Sequence, residues 1–178
     1  MSGMTRGPAL LLSTLLILSA GPALSQGSVS ALKGHNSNAP VDVEADRIEV
    51  QDRADRAIFS GNVQVRQADM TMNAARLTVA YSGGASGTQI QRLDASGGVT
   101  VRSPSETARG SVAIYDLDRR LITMLGNVTL TQGQNTVNGG RLVIDLNSGR
   151  STIDGKGVGA TGQGGRVTGR FTVKQSGN

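Results

Sequence analysis

From Val41 onward the sequence repeats itself about every 29 residues, in short runs where apolar and polar side chains alternate. Arg47-Ile-Glu-Val, Arg76-Leu-Thr-Val, Arg141-Leu-Val-Ile and Arg170-Phe-Thr-Val share one pattern, and two of their spacings (47 to 76, 141 to 170) are 29 residues. A further copy, Ser111-Val-Ala-Ile, lies 35 residues after Arg76, and Ser82-Gly-Gly-Ala-Ser-Gly87 supplies an insertion of about that excess. A second element keeps the beat: Ser60-Gly-Asn-Val, Ser96-Gly-Gly-Val and Leu125-Gly-Asn-Val, with Asp154-Gly-Lys-Gly-Val as a looser copy. A fixed period in the range of about 20–50 residues marks a stacked architecture, in which each unit buries its apolar face against its neighbours.

The alternation has period two, the signature of strands with one buried face. No sustained helical period follows the N-terminal segment, so the expected class is all-β, with consecutive short strands of about five or six residues joined by turns. Glycine, 25 of 178 residues, fits such a chain because Gly-Asn and Gly-Gly before a valine strand suit bulges and tight bends. Polar turns of similar make (Gln51–Arg56, Asp116–Arg120, Asp145–Arg150) connect the elements.

Composition removes most chemistry. There is no cysteine, so disulfides and thiolate chemistry are out, and the single histidine, His35, leaves no His-rich metal site. No catalytic residue, metal ligand or cofactor site is expected. Asp52 with Asp55, and Asp116 with Asp118, could serve as paired acids on a sugar. Aspartate recurring at turns has a simpler reason, since it hydrogen-bonds its own backbone there. Basic residues are spread out and aromatics number four, which makes nucleic acid a poor partner. Arg166, Arg170 and Lys174, beside Lys156, read as a solvated basic edge.

Residues 1–25 read as a secretory signal peptide: Arg6, the apolar run Ala9–Leu18, the Gly21-Pro22 break and Ala23-Leu-Ser25 before a cut. The run is too short to span about 30 Å of hydrocarbon. Residues 26–39 read as a flexible leader in which His35 is a solvated bystander, residues 40–174 as the β domain, and 175–178 as a short tail. Without Arg6 the net charge falls from +5 to +4.

Alternation places on the inward face Ile48, Val50, Phe59, Val63, Val65, Met70, Met72, Leu77, Val79, Leu93, Val99, Val101, Val112, Ile114, Leu125, Val128, Leu142, Ile144, Phe171 and Val173. If two facing sheets meet fully, these make a dry core. If the sheets splay, they line an apolar groove. Periodicity does not separate the two.

The run Ala45-Asp-Arg-Ile-Glu-Val50, the strand Ala57-Ile-Phe-Ser-Gly-Asn-Val-Gln-Val65 and the later Gly-Asn-Val with Gly-Gly-Arg-Leu resemble the OstA-like family of periplasmic lipopolysaccharide transport proteins, over about Pro40 to Thr172. The resemblance implies a β-jellyroll of consecutive antiparallel strands, open at both ends, whose apolar interior takes the acyl chains of lipid A. It implies a periplasmic protein that stacks end to end and bridges an inner-membrane anchored component to an outer-membrane β-barrel. The family motif is structural, so the lipid-facing assignment, all the inward positions above except Phe171 and Val173, rests on alternation alone. Two other readings remain at this point: the inner-membrane anchored subunit, if residues 1–25 are retained, and a β-helix polysaccharide hydrolase or lyase.

Overall fold

The computed structural model describes residue 32 and residues 34–84, 87–155 and 165–172. Ten strands run in chain order: β1 (Val41–Glu44), β2 (Arg47–Gln51), β3 (Arg56–Gln67), β4 (Met70–Gly84), β5 (Gly87–Arg102), β6 (Glu106–Asp116), β7 (Leu121–Gln132), β8 (Asn135–Asp145), β9 (Arg150–Asp154) and β10 (Thr168–Arg170). A single 3-10 turn, Asp52–Ala54, is the only helical element among the described residues. Every pairing is antiparallel, and β3 to β8 pair in sequence order.

The central strands are longer than the expected five or six residues, at 11 to 16, because each is two short strands joined through a bend. The register breaks mid-strand at Ser60/Val63, Ser96/Val99 and Leu125/Val128. Each break is one of the Gly-Asn or Gly-Gly pairs, and both residues of every pair have positive φ (Gly61 and Asn62, Gly97 and Gly98, Gly126 and Asn127). Two left-handed residues set against one on the neighbouring strand make a bulge that folds the sheet on itself. Space is as restrictive as φ here. A Cβ on Gly126 would lie 2.6 Å from Ser111 Oγ, and one on Gly97 would lie 2.6 Å from Ala75 Cβ.

The bends align into a corner that divides the sheet into two leaves. The first leaf holds β2, the N-terminal halves of β3, β5 and β7, the C-terminal halves of β4, β6 and β8, and β9. The second holds β1, the other halves of β3 to β8, and β10. Their inner faces form one cluster, with Leu77, Leu93, Ile122, Met124, Leu142 and Ile144 from the first leaf against Val63, Val65, Met70, Met72, Val99, Val101, Val128 and Leu130 from the second. Neither sheet end is closed: β1 and β2 both lie on β3, and β9 and β10 both lie on β8.

The register corrects the phase of the repeat. Arg47, Ser60, Arg76, Ser96, Val112, Leu125, Arg141 and Asp154 form one cross-strand row. Val112, and not Ser111, therefore stands in the place of Arg76 and Arg141. The intervals become 29, 36 and 29, with seven extra residues lengthening the β4–β5 hairpin out to Gly84 and Gly87. Arg170 leaves the row and pairs with Thr136 in the second leaf, so the fifth copy repeats in sequence but not in space.

Candidate apolar groove

Between the leaves the fold gathers the described apolar side chains into one continuous cluster. Of the assigned lining residues, Val63, Val65, Met70, Met72, Leu77, Val79, Leu93, Val99, Val101, Val128, Leu142 and Ile144 are buried there, and Phe59 packs half-buried against them. Ile48 and Val50 share this face through their pairing with Phe59 and Ala57, yet are 55% and 56% exposed. They sit on β2, which among the described strands pairs with β3 alone. The apolar surface thus runs out of the sheet at the β2 end.

Three assignments are corrected. Val112, Ile114 and Leu125 face outward and are half-buried, while Ala113, Tyr115, Ile122 and Met124 are buried in their stead. In β7 the buried positions Ile122, Met124, Val128 and Leu130 keep one parity, and Leu125 falls between them; for Val112 and Ile114 the cause is the bend. In β6 two residues, Gly110 and Ser111, sit opposite the three residues Gly126–Val128, so the buried positions change parity from Glu106 and Ala108 to Ala113 and Tyr115. A period-two count carried through that point selects the wrong face. Sequence offered a signal, because Ala113 and Tyr115 align with Leu77 and Val79 once Val112 takes the phase of Arg76. Phe171 is also corrected, being 59% exposed. Val173 lies outside the described residues, as do Lys156 and Lys174.

The leaves meet at the corner by covalent continuity and at the opposite side, the mouth, by side chains. Tyr115 at the rim of the first leaf donates its hydroxyl to Gln67 Oε1 at the rim of the second, at 2.9 Å. His35 is no bystander. It is buried, with Nε2 3.0 Å from Gln67 Oε1 and Nδ1 3.2 Å from Asp69 Oδ1. Gln67 Nε2 donates in turn to the carbonyls of Ser37 and Ala39 at 3.0 and 2.9 Å. Residues 34–39, expected to be a loose leader, lie docked along the mouth, and Leu32 is 4% exposed within the core cluster. Leu32 packs among Val101, Ala108, Leu130 and Ile144, and the space left beside it is only about 10 Å³, near the smallest volume that holds a single water. Around this slot the leaves meet and little room is left.

Glu106 lies beside Leu32 in the same slot. Burial pushes its carboxyl up to about 7, against a smaller opposing pull from the Leu32 backbone. Gln132 donates to its Oε1 at 3.1 Å, while Oε2 has no partner. Burial also raises Tyr115, with Ser37, Arg120 and Gln67 opposing the shift. Of the four paired acids, Asp116 follows the simpler reading and accepts from the Arg119 backbone N–H at 2.9 Å; at the next turn Asp145 accepts from the N–H groups of Asn147 and Ser148. The Ser148 hydroxyl leads the contacts that hold Asp145 below its ordinary value. Among the described residues, no helix is long and apolar enough to cross a membrane.

A sequence profile for the family described as LptA/(LptD N-terminal domain) LPS transport protein matches residues 42–150. An uncharacterized protein of Rhizobium meliloti (strain 1021) is 33% identical over 145 residues, covering 77% of this chain and 78% of its own length. Among solved structures, LptH from Pseudomonas aeruginosa superposes with a TM-score of 0.67 at 18% identity, over 77% of this chain and 98% of that one. LptH is described as the LptA homologous periplasmic component of the conserved lipopolysaccharide transport device. At that identity the likeness carries the fold, an open antiparallel β-jellyroll, and the profile match over most of the described chain carries the family: this protein belongs to the LptA/LptD N-terminal-domain family of lipopolysaccharide transport proteins.

Proposed function

We propose that this protein is a periplasmic carrier that shelters the acyl chains of lipid A between its two leaves and passes lipopolysaccharide along a bridge between the two membranes. The observation that carries this reading is the aliphatic inner face that runs out of the sheet at the β2 end, where Ile48 and Val50 are uncovered. A structural core has no reason to leave large aliphatic side chains uncovered on its edge strand, whereas a conduit wall that continues into another molecule does.

The physics asks for such a wall. Each buried methylene is worth about 0.8 kcal/mol, so a chain of about twelve carbons gains roughly 10 kcal/mol on leaving water. Valine, leucine, isoleucine and methionine provide that shelter without directional contacts that would trap cargo. At about 4.7 Å between strands, eight strands give a wall of roughly 40 Å, too short to cross a periplasm alone. Strand addition at the β1/β2 and β9/β10 ends would supply the joints. They would join further copies of this chain, an inner-membrane anchored component and an outer-membrane barrel. Residues 1–25 would serve as the cleaved export signal. No reaction is assigned to the site.

The test is photo-crosslinking in cells. A probe at Val65 or Leu77 is expected to label with lipopolysaccharide, and one at the outward neighbours Gln64 or Thr78 is not. Equal labelling from both faces would remove the basis for a groove.

A further inference from the structure

The mouth is closed by a piece of chain that is not part of the sheet. The backbone hydrogen bonds of this segment close turns within it, His35 N–H to Leu32 O and Ala39 N–H to Asn36 O, each at 3.1 Å. Strand pairing begins only at Val41. What ties the segment down is the Leu32 side chain, the His35 ring, two carbonyls on Gln67, and an exposed hydrogen bond from Arg120 Nη2 to Asn38 Oδ1 at 3.0 Å.

The chemistry beneath it differs from the rest of the interior. The buried polar residues His35, Gln67 and Glu106, with the Tyr115 hydroxyl, all gather at this mouth, in an interior otherwise made of aliphatic side chains. A permanent core gains little from burying such groups, since each costs free energy unless it is matched. Groups that are alternately covered and rehydrated carry no such disadvantage. Leu32 presents a branched alkyl group to the slot, and the carbonyls of Ser37 and Ala39 present amide oxygens to Gln67.

We infer that Leu32 and residues 34–39 form a displaceable strap that occupies the place of cargo. An entering acyl chain takes the slot of Leu32, and the carbonyl or hydroxyl groups near its point of attachment take over the partners left on Gln67 and Tyr115. The inference rests on the reading of the interior as an acyl-chain groove and adds to it a closed state and the residues that hold it. With about 10 Å³ free beside Leu32, the slot admits an acyl chain only when the strap leaves.

The chain has no cysteine, so Asn38→Cys, at an exposed position, and Arg120→Cys, at a half-buried one outside the core cluster, create the only two thiols. A bis-maleimide with a cleavable disulfide spacer locks the strap, and reductant frees it. The probe is cis-parinaric acid, whose fluorescence rises on burial. Locked protein is expected to take it up at least tenfold more slowly or weakly than the same protein after cleavage, and Leu32→Ser in the unmodified chain is expected to speed uptake. Equal uptake by locked and cleaved protein would overturn the strap while leaving the groove intact. No uptake by any form, Leu32→Ser included, would remove the groove itself, and the strap with it.

Discussion

The two long sides of this sandwich are closed by different means. At the corner the backbone passes from leaf to leaf through residue pairs in left-handed conformation, packed so that a Cβ on Gly97 or Gly126 would collide with the strand opposite. At the mouth the leaves are joined by Tyr115, Gln67 and a short segment held by side chains. The corner cannot open without breaking the ladder, whereas the mouth opens by exchanging a few hydrogen bonds and one leucine slot. A molecule built this way has a hinge on one side and a gate on the other. On the proposed reading, the slot filled by Leu32 in the absence of cargo becomes free when the gate opens.

The largest effect should come from the wall that both sides hold together. Met124→Ala, which hollows the buried face, is expected to cost about 3 kcal/mol, while its outward neighbour Leu125→Ala costs about 1 kcal/mol or less. Urea unfolding of both variants measures the difference, and equal losses would restore the uncorrected parity. At the corner, Gly126→Val combines a disfavoured φ with a clash on Ser111 and should cost about 2–3 kcal/mol. Asn127→Gly beside it should be nearly neutral, because glycine accepts the same φ.

At the mouth, Gln67→Leu leaves the Tyr115 hydroxyl and His35 without their shared acceptor and should cost about 2 kcal/mol. Amide hydrogen exchange should rise at residues 34–39 while the corner stays protected. A rise spread evenly over both sides would mean that hinge and gate are not separate.

A further effect is in pH dependence. Glu106 titrates near 7 when folded and near 4.5 when not, so the folded state binds the proton more tightly. Its destabilising contribution is absent below about pH 4.5, grows as pH rises to 7 and is constant above. Glu106→Gln should therefore be more stable than the natural chain at pH 8 and vary less between pH 5 and 8. Thermal midpoints across that range check it.

Much of this was legible from the chain alone where the physics is local. Leu77, Val79, Leu142 and Ile144 follow from simple alternation, and Gly61-Asn62 and Gly126-Asn127 announce bends because few residues other than glycine and asparagine accept positive φ. Val112 and Ile114 take the outward face because a bulge on one strand shifts the parity of its neighbour, a relation between residues more than a dozen apart in sequence; Leu125 needs no such relation, since β7 keeps one parity from Ile122 and Met124 to Val128 and Leu130. His35 was misread because its partners, Gln67 and Asp69, come from a hairpin that no local pattern links to it.

Period and turn chemistry act over a few residues, and they are enough to make this chain a stack of bent strands with an aliphatic face. That the two leaves meet, which face β6 turns inward, and that residues before the first strand close the mouth are set by contacts between distant parts of the chain. Those outcomes depend on which distant groups reach the same few ångströms. Burial and hydrogen-bond matching are settled only there.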